Sequence, residues 1–262
     1  MEEHEKPFFE AMLNVLDQVD TWRTRIDPDG PRRTVSAGSA LAGDDRRVSP
    51  YQTSHAVWVA LGHAVDHLHA HRTVLRDAGV IHLYAHYSLL RGAFENASTA
   101  VWLLGPFSRS ERIVRRLRHL AADIRNGERV RELLDAPTRR TAAERLDDLK
   151  AIARRCGLDD GAATKRIAAT EIVQAAGEHA LMGERVAQLV WSLCSGTAHG
   201  DFWSMVALAD RIELPGAPAG ISHARVTANV ERLYFLTYFA AAMIDRGWVL
   251  QDQRSTGLYE TP

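Results

Sequence analysis

Apolar residues recur along the chain at three- and four-residue intervals, the period at which side chains share one face of an α-helix. The clearest case is Leu83, Tyr87, Leu90, Phe94, Ala97, Val101 and Leu104, a seam that Leu89, Ala93, Ala100 and Leu103 widen toward both flanks. A helix apolar over so much of its surface needs neighbours on several sides, which predicts a central position. Val226, Val230, Leu233, Leu236, Phe239, Ala240 and Met243 repeat the pattern near the end of the chain. No alternating run is long enough to predict a strand.

Punctuation sets the boundaries. Ser49-Pro50-Tyr51-Gln52 reads as a capping box with proline at the first helical position, and Ser108 to Glu111 and Thr141 to Glu144 are two more. Gly79, Gly105-Pro106 and Gly157 close helices. Helices are expected near residues 6–26, 50–78, 80–104, 109–134, 141–156, 164–178, 184–199 and 222–250. Residues 27–48 and 213–220, rich in glycine and proline, are expected as loops. The stretch 135–182, poor in large apolar residues, reads as a peripheral helical insertion. The expected fold is all-α, a single multi-helix bundle of about seven or eight helices over residues 1–262.

Charge changes this picture little. A formal net charge of -1 argues against a surface wholly shaped for nucleic acid, leaves room for a local basic stripe and permits self-association. Cys156 and Cys194 have no metal-like spacing and read as small buried hydrophobes. The opening residues MEEHEKPFFEAM carry no apolar leader, and the longest apolar run, Leu233 to Ile244, is too short to cross a bilayer. A cytoplasmic protein with no membrane partner is expected.

Four clusters could carry chemistry. Ser88, Arg91, Glu95 and Ser98 form a polar stripe on the central helix, where Arg91 and Glu95 are either a surface ion pair or a pair lining a polar interior. Gln188, Ser192, Ser195 and His199 form another on the 184–199 helix, opposite Val186, Leu189, Val190 and Leu193, which are expected to pack inward. His199 either closes that helix, where the macrodipole favours a cation, or works with Asp201; a Ser195–His199–Asp201 hydrolase triad is disfavoured by so short a spacing. His63, His67 and His71 step by four, as do His82 and His86, so a metal held by His63, His67 and His86 is one reading and solvated or bundle-lining imidazoles the other. Arg109, Arg112, Arg115, Arg116 and Arg118 crowd one helix, as a solvated face or as a stripe for RNA phosphates.

The segments HYSLLRGAFENASTAVWLL and WSLCSGTAHGDFW resemble a group of bacterial helical proteins with Arg-x3-Glu on an early core helix and small residues followed by His on a later one. That group is similar to the HEPN superfamily, helical bundles that often dimerise and often act as ribonucleases in toxin–antitoxin or phage-defence systems. The resemblance implies a homodimer that binds or cleaves RNA without metal or other cofactor. His199 would act as general base or acid for attack of a 2′-hydroxyl on the adjacent phosphate, Arg91 would stabilise charge on phosphorus, and Glu95 would hold Arg91. Active members set an arginine before the histidine with four to six residues between, where this chain has Ser192, Leu193 and Cys194. Arg112 and His119 fit the same loose spacing. The competing class is a non-enzymatic interaction or regulatory bundle, with a metal- or small-molecule-binding bundle as a third.

Overall fold

The computed structural model describes residues 2–27, 29 and 35–257; the remainder of the expected 27–48 loop lies outside the described residues. After a 3-10 turn at Glu3–Glu5 come α1 (Lys6–Leu16), α2 (Gln18–Ile26), α3 (Ala40–Val48), α4 (Thr53–Arg76), α5 (Ala85–Leu104) and α6 (Arg109–Leu133). They are followed by α7 (Ala142–Arg155), α8 (Asp160–Thr164), α9 (Ala169–His179), α10 (Glu184–His199), α11 (Phe202–Leu208), a hairpin of β1 (Ala209–Leu214) and β2 (His223–Ala228), and α12 (Val230–Ser255). The fold is all-α, with more helices than the seven or eight expected. Among the described residues no helix is long and apolar enough to cross a membrane.

The central seam is where its pattern predicts. Helix α5 packs against α4, α6, α9, α10 and α12, and Tyr87, Leu90, Phe94, Ala97, Val101 and Leu104 are all buried. Glycines let neighbours come close: a Cβ on Gly92 would lie 2.5 Å from the His67 ring, and one on Gly247 of α12 would lie 2.7 Å from Leu61 of α4. Helices α1 and α2 cover this core with Met12, Leu16, Val19 and Trp22. A second apolar cluster forms where Ile113, Leu117, Leu120 and Ile124 of α6 meet Leu149, Ile152 and Ala153 of α7, Ala163 of α8 and Val48 of α3. Of the stretch read as a peripheral insertion, α7 and α8 stand on α6, whereas α9 returns to the main core through Val173 and Ala176.

Five boundaries differ from expectation. Helix α3 lies inside the expected 27–48 loop, starting at Ser39, whose hydroxyl accepts the Ala42 amide at 3.1 Å. Helix α4 starts at Thr53 instead of Pro50, because Asp45 reaches across from α3 to accept the Ser54 amide at 3.0 Å and its hydroxyl at 2.6 Å, doing the capping work expected of Ser49. The 6–26 helix is interrupted at Asp17. The 164–178 helix splits, since Arg118 and Arg125 of α6 donate to the carbonyls of Arg166 (2.9 Å) and Thr164 (2.6 Å), groups a continuous helix would have used itself. Residues 223–228 pair as a strand with 209–214, and α12 begins only at Val230, capped by Asn229 accepting the Arg232 amide at 2.8 Å. The boxes at Ser108 and Thr141 form as expected.

The α3–α6 contact is polar at its heart. Asp44 and Arg112 are both buried, 1% and 2% exposed. Arg112 donates from Nε to Asp44 Oδ2 at 2.6 Å and from Nη2 to Oδ1 at 3.0 Å, while its Nη1 takes the carbonyls of Pro106 and Phe107 at 2.9 and 2.8 Å. Arg109 adds a bond to Asp44 Oδ1 at 3.2 Å. Replacing Asp44 with alanine strands a buried guanidinium, which costs about 3–5 kcal/mol. Chemical unfolding of Asp44→Ala is therefore expected to show a large fall in midpoint, while Lys150→Ala, which removes an exposed pair with Asp147, leaves the midpoint nearly unmoved. Equal effects of the two variants would contradict this assignment.

Candidate functional site

Helix α10 spans the residues its pattern predicts, but its faces are apportioned differently. Leu189, expected inward, is exposed, and Ser195, expected on a polar stripe, is buried. The buried face runs through Ala187, Val190, Cys194 and Gly196. The helix ends at Gly200 with φ +80°, a left-handed conformation that glycine adopts without strain. The Asp201 amide then donates back to the Gly196 carbonyl at 2.9 Å, and the chain doubles back as α11. Trp203 lies so close on Gly196 that a Cβ there would approach its ring to 2.6 Å.

This corner encloses a cavity of about 530 Å³ lined by Thr197, His199, Asp201, Phe202 and Met205, with Tyr84 from the start of α5 opposite. Among the described residues neither Lys nor Arg lines it. The negative end of the α10 dipole and the Asp201 carboxylate both favour positive charge there, in a cavity that Tyr84 and Phe202 also line.

Arg91 and Glu95 lie farther along α5 and do not line that cavity. Arg91 Nε is 3.4 Å from Glu95 Oε2, and the same oxygen accepts the Trp191 indole N–H from α10 at 2.9 Å. The two helices are thus pinned through Glu95. Both members of the ion pair keep about a third of their surface in water, which matches neither a wholly exposed nor a wholly buried pair. Cys194 is buried, which pushes its thiol up to about 12 against the opposing pull of Arg91 and leaves it unreactive. Ser195 is buried and His199 exposed, and among the described residues no hydrogen bond joins Ser195, His199 and Asp201.

The histidines scatter. His63 lines a second cavity of about 430 Å³ with His55, His119 and Asp123, His67 packs on Gly92, and His86 is buried against His71. Among the described residues no group of three or more His, Cys, Asp or Glu side chains is placed to hold a metal ion. Arg112 is locked to Asp44, so its spacing to His119 has no counterpart in space as a working pair. Burial, then the Arg116 charge, lowers His119 to about 4, with Asp123 pulling the other way.

The arginines expected to track a phosphate backbone are turned inward. Arg112 and Arg116 are 2% and 8% exposed; Arg116 donates to the Tyr51 carbonyl at 3.2 Å. Arg115 holds the Trp102 carbonyl at 2.8 Å and Arg118 that of Arg166 at 2.9 Å. Arg109, half exposed, pairs with Asp44. A continuous five-residue phosphate stripe is therefore not present on this face.

One polar cluster escaped the spacing argument. His71 Nδ1 of α4 and His86 Nδ1 of α5 are 2.9 Å apart, His71 Nε2 is 3.0 Å from Thr237 Oγ1 of α12, and His86 Nε2 is 3.3 Å from the Val80 carbonyl. The Thr237 hydroxyl has one proton and also lies 2.8 Å from the Leu233 carbonyl; turned to His71 Nε2, that proton lets His71 Nδ1–H donate to His86 Nδ1 and His86 Nε2–H to Val80 O with both rings neutral. The opposite direction would aim a His86 lone pair at a carbonyl oxygen. His71 follows Ala64 and Leu68 and precedes Leu75 at core spacing, the signal that would have revealed it.

Comparison with protein-family models, with curated proteins and with solved structures finds no match.

Burial lowers His71 well below the ordinary histidine value, with His86 adding to the effect. Burial takes His86 down to about 4, against the pull of the Val80 carbonyl and with a further push from His82. The unfolded chain therefore binds protons that the folded chain refuses once pH falls below about 6.5. Stability is fully present above that value and lost toward pH 4, at up to about 1.4 kcal/mol per pH unit for each such histidine. Thermal unfolding is expected to show a clear fall in midpoint from about pH 7 to about pH 5; a flat profile would contradict the neutral pair.

Proposed function

We propose that the protein is a non-enzymatic binding bundle whose ligand-facing end is the α10–α11 corner, and that the group it takes there is cationic. The observation that carries this reading is the lining of the corner cavity. Asp201 and the carboxyl end of α10 supply negative potential, Tyr84 and Phe202 supply aromatic side chains, and among the described residues neither Lys nor Arg lines it. A transferring phosphate needs positive charge where its own charge develops. Arg91, the cation a ribonuclease reading assigns, stands outside the cavity with its charge balanced by Glu95. An organic ammonium or a basic side chain meets the opposite situation: a carboxylate beside aromatic surface, worth about 0.5–2 kcal/mol for the cation–π part.

The test follows the His199 ring resonance, assigned by its loss in His199→Gln, while tetramethylammonium and inorganic phosphate are titrated separately. Saturable perturbation by the ammonium, weakened about fivefold in Asp201→Asn, is the expected result. Perturbation by phosphate alone, together with RNA cleavage by the wild type that His199→Ala and Arg91→Ala abolish, would overturn the proposal in favour of a HEPN-like ribonuclease.

A further inference from the structure

The β1–β2 hairpin keeps most of its residues in water, although Asp210 and Ile212 share a cavity with Ile81 and Leu83. The strands pair antiparallel from Ala209↔Ala228 to Leu214↔His223. Beyond Ala209, every residue of β1 is exposed. Ile212 and Leu214 leave 52% and 47% of their surface in water. A two-stranded ribbon is marginal by itself. Among the described residues, Asp210 to Leu214 make no backbone hydrogen bond outside the ladder with β2, so the second edge of β1 is unpaired.

Charged residues on an edge strand usually repel a second strand. On β1 their order does the reverse. Arg211 and Glu213 flank Ile212, and neither has an ion-pair partner among the described residues; their neighbours across the ladder are Val226 and Ala224. Asp210 is already engaged by the Asn229 amide at 2.9 Å. We propose that β1 pairs antiparallel with β1 of a second copy of this chain, about a two-fold axis through Ile212. That axis sets Arg211 opposite the second copy's Glu213, the second copy's Arg211 opposite Glu213, and Ile212 against its own equivalent. The two hairpins become one four-stranded antiparallel sheet.

Charge selects this register. An axis through Arg211 faces arginine with arginine, and one through Glu213 faces glutamate with glutamate. Opposite residues of an antiparallel pair share a face, so the axis passes through a residue and never between two. Only the Ile212 axis makes two opposite-charge pairs, the arrangement that stabilises neighbouring strands. Strand β2 offers no equivalent: an axis through Val226 sets Arg225 opposite Thr227. A formal net charge of -1 leaves little long-range repulsion between copies. A six-residue edge is small beside a standard interface of about 1,600 Å², so the dimer is weak and reversible.

Sedimentation of the full chain from micromolar to millimolar concentration tests this. The wild type is expected to show a reversible monomer–dimer equilibrium. Arg211→Glu faces glutamate with Glu213 twice and is expected to weaken dimerisation about tenfold or more; Glu213→Arg does the same with arginines. The double variant Arg211→Glu with Glu213→Arg restores both pairs in reversed order and is expected to return the dissociation constant to within about threefold of wild type. Both side chains are exposed and, among the described residues, without an ion-pair partner, so unchanged circular dichroism and melting of the monomer check folding. A wild type monomeric throughout overturns self-association. A dimer indifferent to the single variants, or one the double variant does not rescue, overturns the β1 edge as its seat.

Discussion

A guanidinium taken out of water must have its donors satisfied, and Arg112 meets that demand in one place only. Its fork closes on Asp44, and its remaining terminal nitrogen ties the carbonyls at the α5–α6 corner. Helix α3 carries Asp44 and contributes Leu41 to the main core and Val48 to the second cluster. The buried ion pair therefore stands where the two apolar bodies join. Arg254 of α12 reaches the same corner, donating to Leu104 and Pro106. Apolar packing brings these helices together; the fork decides how α3, α6 and the corner meet.

The other arginines extend this principle. Arg155 donates to the Arg47 carbonyl at the end of α3, Arg115 and Arg254 to Trp102 and Leu104 at the end of α5, Arg125 to Thr164 at the end of α8, and Arg246 to His179 at the end of α9. Helix C-termini leave carbonyls without partners and carry negative potential, and both needs are met by an arginine from a neighbouring helix. The α10 terminus is instead closed from within by Gly200 and the Asp201 amide, and among the described residues no arginine lines its cavity. On the proposed reading, this is what leaves negative potential for a cationic ligand.

What could be read from the sequence follows from how local its causes are. The α5 seam, the limits of α10 and the boxes at Ser108 and Thr141 are written in residues a few positions apart. Helix α3 was not legible, because Asp44 finds its partner 68 residues away. The strands were not legible either: a ribbon exposed on both faces has no reason to alternate. At the candidate site, His199 and Asp201 could be singled out from one short segment. The Tyr84 wall of that cavity, and the separation of Arg91 from it, depend on how α5 and α10 are set against each other. The Trp191–Glu95 bond that helps set them joins residues 96 positions apart.

The histidine chain carries a different consequence. Helices α4, α5 and α12 meet mainly through leucine, alanine and valine, side chains that make no directional bonds. Such surfaces tolerate more than one arrangement at similar free energy. A slide of α4 would part His71 from both His86 and Thr237, stranding buried polar atoms at about 1–3 kcal/mol each. Three weakly discriminating apolar faces are thereby given a single alignment, so the same pair of rings that makes the fold sensitive to acid also makes it singular.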